Sequence, residues 1–360
     1  MKKTILPILL FALLTYCLPM VSLLLPAAGA DDGANPFFGF GGASSPSSAA
    51  SAPTPAPTPA PGALTGGKDP NAAPAQTGDS PVILIQNAAD SSVLEVPVLD
   101  YMIGAAASEM PVNWPDEALK AQAVASHSYA LYQRDHADTD KLGGAWFSAD
   151  PARRQGYMTE EVLRSYWGDA YSENYARLKS LFEPIVDKVL TWEGAPAAAC
   201  YHAISCGRTE ASENVWSEAL PYLAGVDSTL DLAAEGYEQT VTYTAQQMYD
   251  ALTASFAGVD LTAKPGKWFG DAKYTDAGYV QSIQVGGVFA KGTDVRAALG
   301  LRSACFSIQY VDGAFAVTTK GYGHGVGLSQ WGAKNLALTG KSFSEILAAY
   351  FPGTALEVLG

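Results

Sequence analysis

The chain is poor in charge, and most of the charge it has is of one sign. Lysine and arginine number 22 of 360 residues against 36 aspartates and glutamates, a formal net charge of −14. That shortage of cations excludes the basic face a nucleic-acid partner needs and an electrostatic grip on anionic lipid. A neutral or weakly charged partner such as a glycan is compatible with it. Walker loops, a glycine fingerprint behind a strand and a GxSxG elbow are all missing, so the sequence carries no sign of a nucleotide site, and no spacing points to a Ser-His-Asp hydrolase. No repeat with a period of about 20–50 residues is visible, which excludes a solenoid. Charge is absent altogether from Ile5 to Leu25, a run about as long as a bilayer requires. Met1-Lys2-Lys3 ahead of it and Ala28-Gly29-Ala30 behind it frame a secretory signal. Residues 1–30 are therefore a cleaved signal sequence or, as the length favours, a single-pass membrane anchor. No cysteine closes the run, Cys17 lying inside it, so a lipoprotein is not indicated. On either reading residues 31–360 lie outside the cytoplasm, on the cell membrane or secreted.

What is present begins with a spacer. Residues 31–80 contain SSPSSAASAPTPAPTPAPGA, which buries no core and forms a disordered or partly polyproline tether. From 81 to 360, hydrophobic content suffices for one folded domain (48% over the whole chain). Alternation predicts strands at 82–86, 93–99, 186–192, 197–204, 237–244, 278–288 with a Gly-Gly turn, and a hairpin at 306–310 and 314–319 around Asp312-Gly313. Helical spacing covers 99–134, 159–182, 245–256, 293–299 and 342–350. Dispersed short strands and helices make the fold class α+β.

Residues 321–333, GYGHGVGLSQWGA, fence His324 with glycines and then present Ser329, Gln330 and Trp331. Glycines around a polar side chain suggest a built site, because they let backbone approach closely. A second signal is Glu109 in GAAASEMP. A carboxylate among apolar neighbours has a raised pKa and can serve as a general acid, although a solvated cap or an ion pair with Lys120 or Arg134 would fit too. The following helix carries Lys120, Gln122, His127 and Tyr129. Cys200, His202 and Cys206 offer three zinc ligands; a Cys200–Cys206 disulfide or two buried thiols are the alternatives, and all three stay open. Ser205, Gly207-Arg208-Thr209-Glu210 and Trp216 follow, the last either a sugar platform or core.

Three ordered blocks, 93–133, 201–228 and 321–333, together with LGLRSACFSI at 299–308, resemble the SpoIID/LytB family. The resemblance spans about 93–355, the folded part of the chain. It implies a peptidoglycan lytic transglycosylase of sporulation and engulfment, acting on denuded glycan strands between N-acetylmuramic acid and N-acetylglucosamine. Glu109 in the EMP motif would be the catalytic acid. Gln122, His127, Tyr129, His202, Ser205, Tyr322, His324, Ser329 and Gln330 would line or support the glycan groove. His127 stands where AQAVAARTYA sequences carry an arginine. The chemistry needs no cofactor; structural zinc occurs in some sporulation members near the second block. Partners implied are glycan strands, a cell-wall amidase and septal membrane proteins, and not nucleic acid. LytB-type relatives offer a second reading, a non-catalytic glycan-binding activator of an amidase.

Overall fold

The computed structural model describes residues 81–216 and 218–358. The signal or anchor at 1–30 and the linker at 31–80 lie outside the described residues. Mixed helices and short strands form an α+β domain, as the patterning implies. Among the described residues no helix is long and apolar enough to cross a membrane.

The first strands, Val82–Asn87 and Val93–Pro97, pair antiparallel with Val82 opposite Pro97. Phe147–Ala149 joins Val82–Asn87 in parallel. The chain then enters helix Val98–Glu109. Its end is set by Pro111: the residue before a proline is pushed out of the helical region, and Met110 accordingly takes φ −130°, ψ 142°. Glu109 is thereby fixed as the last helical residue. Gly104, midway along, accepts from Met158 N at 3.2 Å, and a Cβ there would overlap the Met158 carbonyl and the Tyr157 ring. One side of that overlap is backbone, which has no rotamer to move. Gly104→Ala is expected to lower the unfolding free energy by about 3 kcal/mol; a denaturant midpoint equal to that of the unsubstituted chain would refute the contact.

Helix Asp116–His136 starts behind Pro115, with Asp116 and Glu117 in its first turn and Arg134 and His136 in its last, charges that match the helix dipole. Most of it is buried. Its Gln122, Ser126, Tyr129 and Gln133 recur at steps of four, three and four, so they form one stripe. Helix Tyr171–Phe182 docks by Arg177, which donates to the Val112 and Trp114 carbonyls at 3.1 Å each.

The later part of the chain has its own core, in which Met248, Leu252, Val285, Val295, Phe315 and Val317 are central. Helix Ala245–Ser255 begins with a full capping box, Thr244 with Gln247, and helix Phe343–Tyr350 with Ser342 and Glu345. The Asp312-Gly313 hairpin forms as expected, with φ of +52° and +84° at the turn and Phe306–Val311 paired to Ala314–Lys320. Glu238–Thr244 completes that sheet. The Gly286-Gly287 turn likewise joins Val280–Val285 to Val288–Lys291.

Two expectations fail locally. The strand expected at 197–204 is reduced to Tyr201–His202, which pairs in parallel with Leu328–Ser329. Residues 197–200 instead double back through Ala199 N to Ala197 O and Cys200 N to Ala198 O, both 2.8 Å, and meet strands only at their ends, through Ala197 N to Leu190 O and Leu328 N to Cys200 O. Strand Phe269–Tyr274 and helix Gln330–Leu338 are not visible in the patterning. The helix is hidden behind a glycine-rich loop and contains Gly332, yet Ser329 Oγ caps it by accepting from Gly332 N at 3.2 Å.

Candidate functional site

Glu109 reaches the site from the end of its helix. Gln330 reaches it from the first position of helix Gln330–Leu338, and Gln122 from the polar stripe of helix Asp116–His136. Gln330 Nε2 donates to Glu109 Oε2 at 3.1 Å and to Gln122 Oε1 at 3.3 Å. Gln122 Nε2 in turn donates to Ser126 Oγ at 3.1 Å, and Tyr101 OH donates to the Ser126 carbonyl at 3.3 Å. Each amide thus fixes the orientation of the next, and the last link of the chain is the carboxyl.

Beside Glu109 opens a cavity of about 180 Å³ whose lining includes Tyr101, Tyr129, Gln133, Asp150 and Tyr201. Burial pushes the Glu109 carboxyl up to about 7, against a smaller opposing effect of the Gln330 hydrogen bond. The C-terminal end of a helix, which disfavours negative charge, acts in the same direction as burial. No cation features among the groups acting on it, so neither Lys120 nor Arg134 partners it: Lys120 pairs with Glu117 and Arg134 with Asp135, each at 2.8 Å. A carboxyl with this pKa is populated in both protonation states near neutral pH, as a group that must give and then retake a proton requires.

Of the residues singled out in the sequence, Glu109, Gln122, Tyr129 and Gln330 come together. Glu109 and Tyr129 line the cavity, Gln122 and Gln330 join Glu109 through hydrogen bonds behind it, and the others do neither. Ser205 and Ser329 serve a buried carboxylate, Asp231, which accepts from Ser205 N at 2.8 Å, Ser329 Oγ at 2.9 Å and Ser228 Oγ at 3.0 Å. Asp231 thereby clamps the 201–207 segment to the start of the Gln330 helix. His127 turns away from the stripe; burial holds it down to about 4, and the Lys188 carbonyl is the group favouring its charge. Tyr322 lies under the Arg302 guanidinium at 4.3 Å. His202 Nδ1 donates to the Val326 carbonyl at 3.0 Å, while His324 Nδ1 accepts from Val326 N at 3.1 Å. Val326 therefore sets opposite tautomers in the two rings, and burial keeps both imidazoles neutral. Their centroids are 5.7 Å apart, with Trp216 5.0 Å from His324. The glycines let this loop lie flat on its neighbours: Gly327, at φ +74°, packs where any Cβ would overlap the Cys200 carbonyl.

The proposed metal ligands do not converge. Cys200 Sγ donates to the Ala198 carbonyl at 3.1 Å, His202 is engaged with Val326, and Cys206 Sγ donates to the Ala277 carbonyl at 2.9 Å. Among the described residues no three His, Cys, Asp or Glu side chains gather as a metal ion would require. A Cys200–Cys206 disulfide is not formed either, since both are free thiols.

Sequence reasoning missed Tyr101, Tyr201, Asp150 and Asp231. Tyr201 had a signal: if Cys200 and His202 share one face of an extended segment, Tyr201 takes the other, and that face meets Glu109. Asp150 places a second carboxylate on the cavity, held by Arg153 Nε at 3.4 Å. For Asp231, in an exposed-looking TLDLA turn, the sequence carries no signal.

The stage II sporulation protein family pattern, SpoIID, matches residues 86–184, the part that carries Glu109, Gln122 and Tyr129. Stage II sporulation protein D of Bacillus amyloliquefaciens is 34% identical over 286 residues, 78% of this chain and 80% of that protein. Its counterpart in Bacillus subtilis (strain 168) is 33% identical over 279 residues, 77% and 80% of the two chains. The amidase enhancer of Bacillus subtilis (strain 168) is 26% identical over 311 residues, 70% of this chain and 40% of that protein.

Proposed function

The chain belongs to the stage II sporulation protein D family, and from that premise we propose that it is a peptidoglycan lytic transglycosylase of the cell envelope with Glu109 as its acid. The observation that carries the reading is a carboxyl raised to about 7 on a cavity of about 180 Å³. The Gln330 amide donates to Oε2, so in the neutral acid Oε2 is the carbonyl oxygen and Oε1 holds the proton. Oε1–H protonates the oxygen bridging N-acetylmuramic acid and N-acetylglucosamine as the anomeric bond breaks. The carboxylate then accepts a proton from the muramyl 6-hydroxyl, whose oxygen closes on the anomeric carbon. The products are a free 4-hydroxyl on one sugar and a 1,6-anhydro ring on the other, with no water consumed. Tyr101, Tyr129 and Tyr201 give the cavity walls suited to a sugar ring.

The test is product mass on glycan strands, with and without prior amidase treatment. Muramyl ends lighter by one water mean a transglycosylase. Ordinary reducing ends would instead mean a muramidase that uses water, with Asp150 the other carboxylate on the cavity and so the first base to test. The relative named an amidase enhancer favours one second reading, a glycan-binding activator of a cell-wall amidase. That reading requires no cleavage on either substrate and stimulation of an added amidase.

Gln330→Ala provides a finer check. The amide favours the charged form of Glu109, so its loss moves the carboxyl further up. The pH–rate profile is expected to shift alkaline, with a rate loss smaller than that of a Glu109 substitution. An unmoved profile would mean that Gln330 does not act on Glu109.

A further inference from the structure

Cys206 and Cys305 lie against each other although 99 positions separate them in sequence. Cys305 is buried in a small cluster with Ala277, Tyr279 and Ala304, and Cys206 packs onto it half-buried. Two thiols in contact, one sealed and one reachable from solvent, are the arrangement of a resolving and an attacking cysteine. We propose that Cys206 and Cys305 form a disulfide outside the cytoplasm, a covalent staple between the segment bearing Tyr201 and Ser205 and the foot of the 321–333 loop.

The surroundings assign the order of events. The Cys305 thiol hydrogen-bonds Cys206, and the Tyr279 hydroxyl and a backbone N–H at Arg208 add to it, so Cys206 is held below the ordinary thiol range. Cys305 is pushed up by giving that hydrogen bond and by burial. Cys206 loses its proton to solvent and attacks one sulfur of an external disulfide such as oxidised glutathione. That S–S bond breaks, one glutathione leaves as a thiol, and a mixed disulfide remains on Cys206. Cys305 then loses its proton and attacks the Cys206 sulfur, and the second glutathione leaves as a thiol. The two cysteines are oxidised by two electrons, and the external disulfide is reduced to two thiols.

What the bond fastens follows from the neighbours. Cys206 adjoins Ser205, whose N–H is held by Asp231. The Cys305 carbonyl accepts from Lys320 N at 2.8 Å, the residue before Gly321. Cys200 is a poor competitor, since it is fully buried and burial pushes its thiol up to about 12.

The experiment exposes the full chain, reduced and folded, to oxidised glutathione, then maps free thiols and linked peptides by mass spectrometry without reduction. The expected product is one peptide pair joining Cys206 to Cys305, lighter by two hydrogens, with Cys200 still alkylatable once unfolded. Cys305→Ser should trap glutathione on Cys206. The oxidised chain should unfold several degrees higher than the reduced one, and Cys305→Ser should lack that increment. Three results would each overturn the proposal: both thiols staying free where the urea-unfolded chain oxidises, glutathione accumulating unresolved on Cys206 of the unsubstituted chain, or a bridge to Cys200.

Discussion

Replacing Glu109 with glutamine is expected to slow the appearance of anhydro-muramyl ends by about 10²–10⁴-fold and, at the same time, to make the folded chain more stable at pH 8. Both effects come from one property of the carboxyl. Its pKa rises from 4.5 to about 7 on folding. Between those values the folded chain binds more protons than the unfolded chain, so this group's stabilisation is full below 4.5 and is lost as pH rises to about 7. At about 1.4 kcal/mol per pKa unit, the ionised carboxyl costs the fold about 3 kcal/mol above that window. Glutamine keeps the shape and the partner Gln330 and carries no charge. Thermal melts of the two chains should therefore diverge as pH goes from 4 to 8, the variant being the more stable at the upper end. Equal melts across that range would show that Glu109 is not held in the buried environment described. Wild-type turnover by the variant would remove it from the mechanism.

The second large effect belongs to Asp231. Three donors converge on its buried carboxylate: a backbone N–H and two serine hydroxyls. Asp231→Ala takes the acceptor from the Ser205 N–H and leaves Ser228 Oγ only Tyr350 OH and Ser329 Oγ only the Ala203 carbonyl at 3.4 Å, and the expected loss is about 3 kcal/mol of unfolding free energy. Activity should fall even at temperatures where the variant is folded, because Ser329 is the cap of the helix that begins with Gln330. Asp231→Asn keeps one oxygen acceptor and should lose less on both counts. A variant with alanine at 231 that melts with the parent would mean that the clamp is not closed in solution.

The parts of the fold legible in the sequence are those where local chemistry decides. Thr244 with Gln247, and Ser342 with Glu345, start helices through contacts three residues apart. Asp312-Gly313 and Gly286-Gly287 turn hairpins through their own backbone freedom. Glu109 stood out because its apolar neighbours in GAAASEMP signalled a raised pKa. Where the outcome depends on distant partners, pattern was a poor guide. Residues 197–200 have strand-like composition but keep only single hydrogen bonds to strands at their ends, Ala197 N to Leu190 O and Leu328 N to Cys200 O. His202 and His324 look like site residues and instead hydrogen-bond to Val326. Cys206 found its neighbour in Cys305 rather than in Cys200, and nothing in the local spacing indicates that choice.

Glu109 and Gln330 meet across 221 positions of sequence, and that separation has a consequence in time. Contacts so far apart form late, since the intervening chain must be ordered before the closure is rewarded. A chain not yet folded as far as residue 330, or one cut between residues 109 and 330 whose pieces have parted, holds the helix of Glu109 but not the amide that orients it. On the transglycosylase reading, competence would wait until helix Gln330–Leu338 has docked.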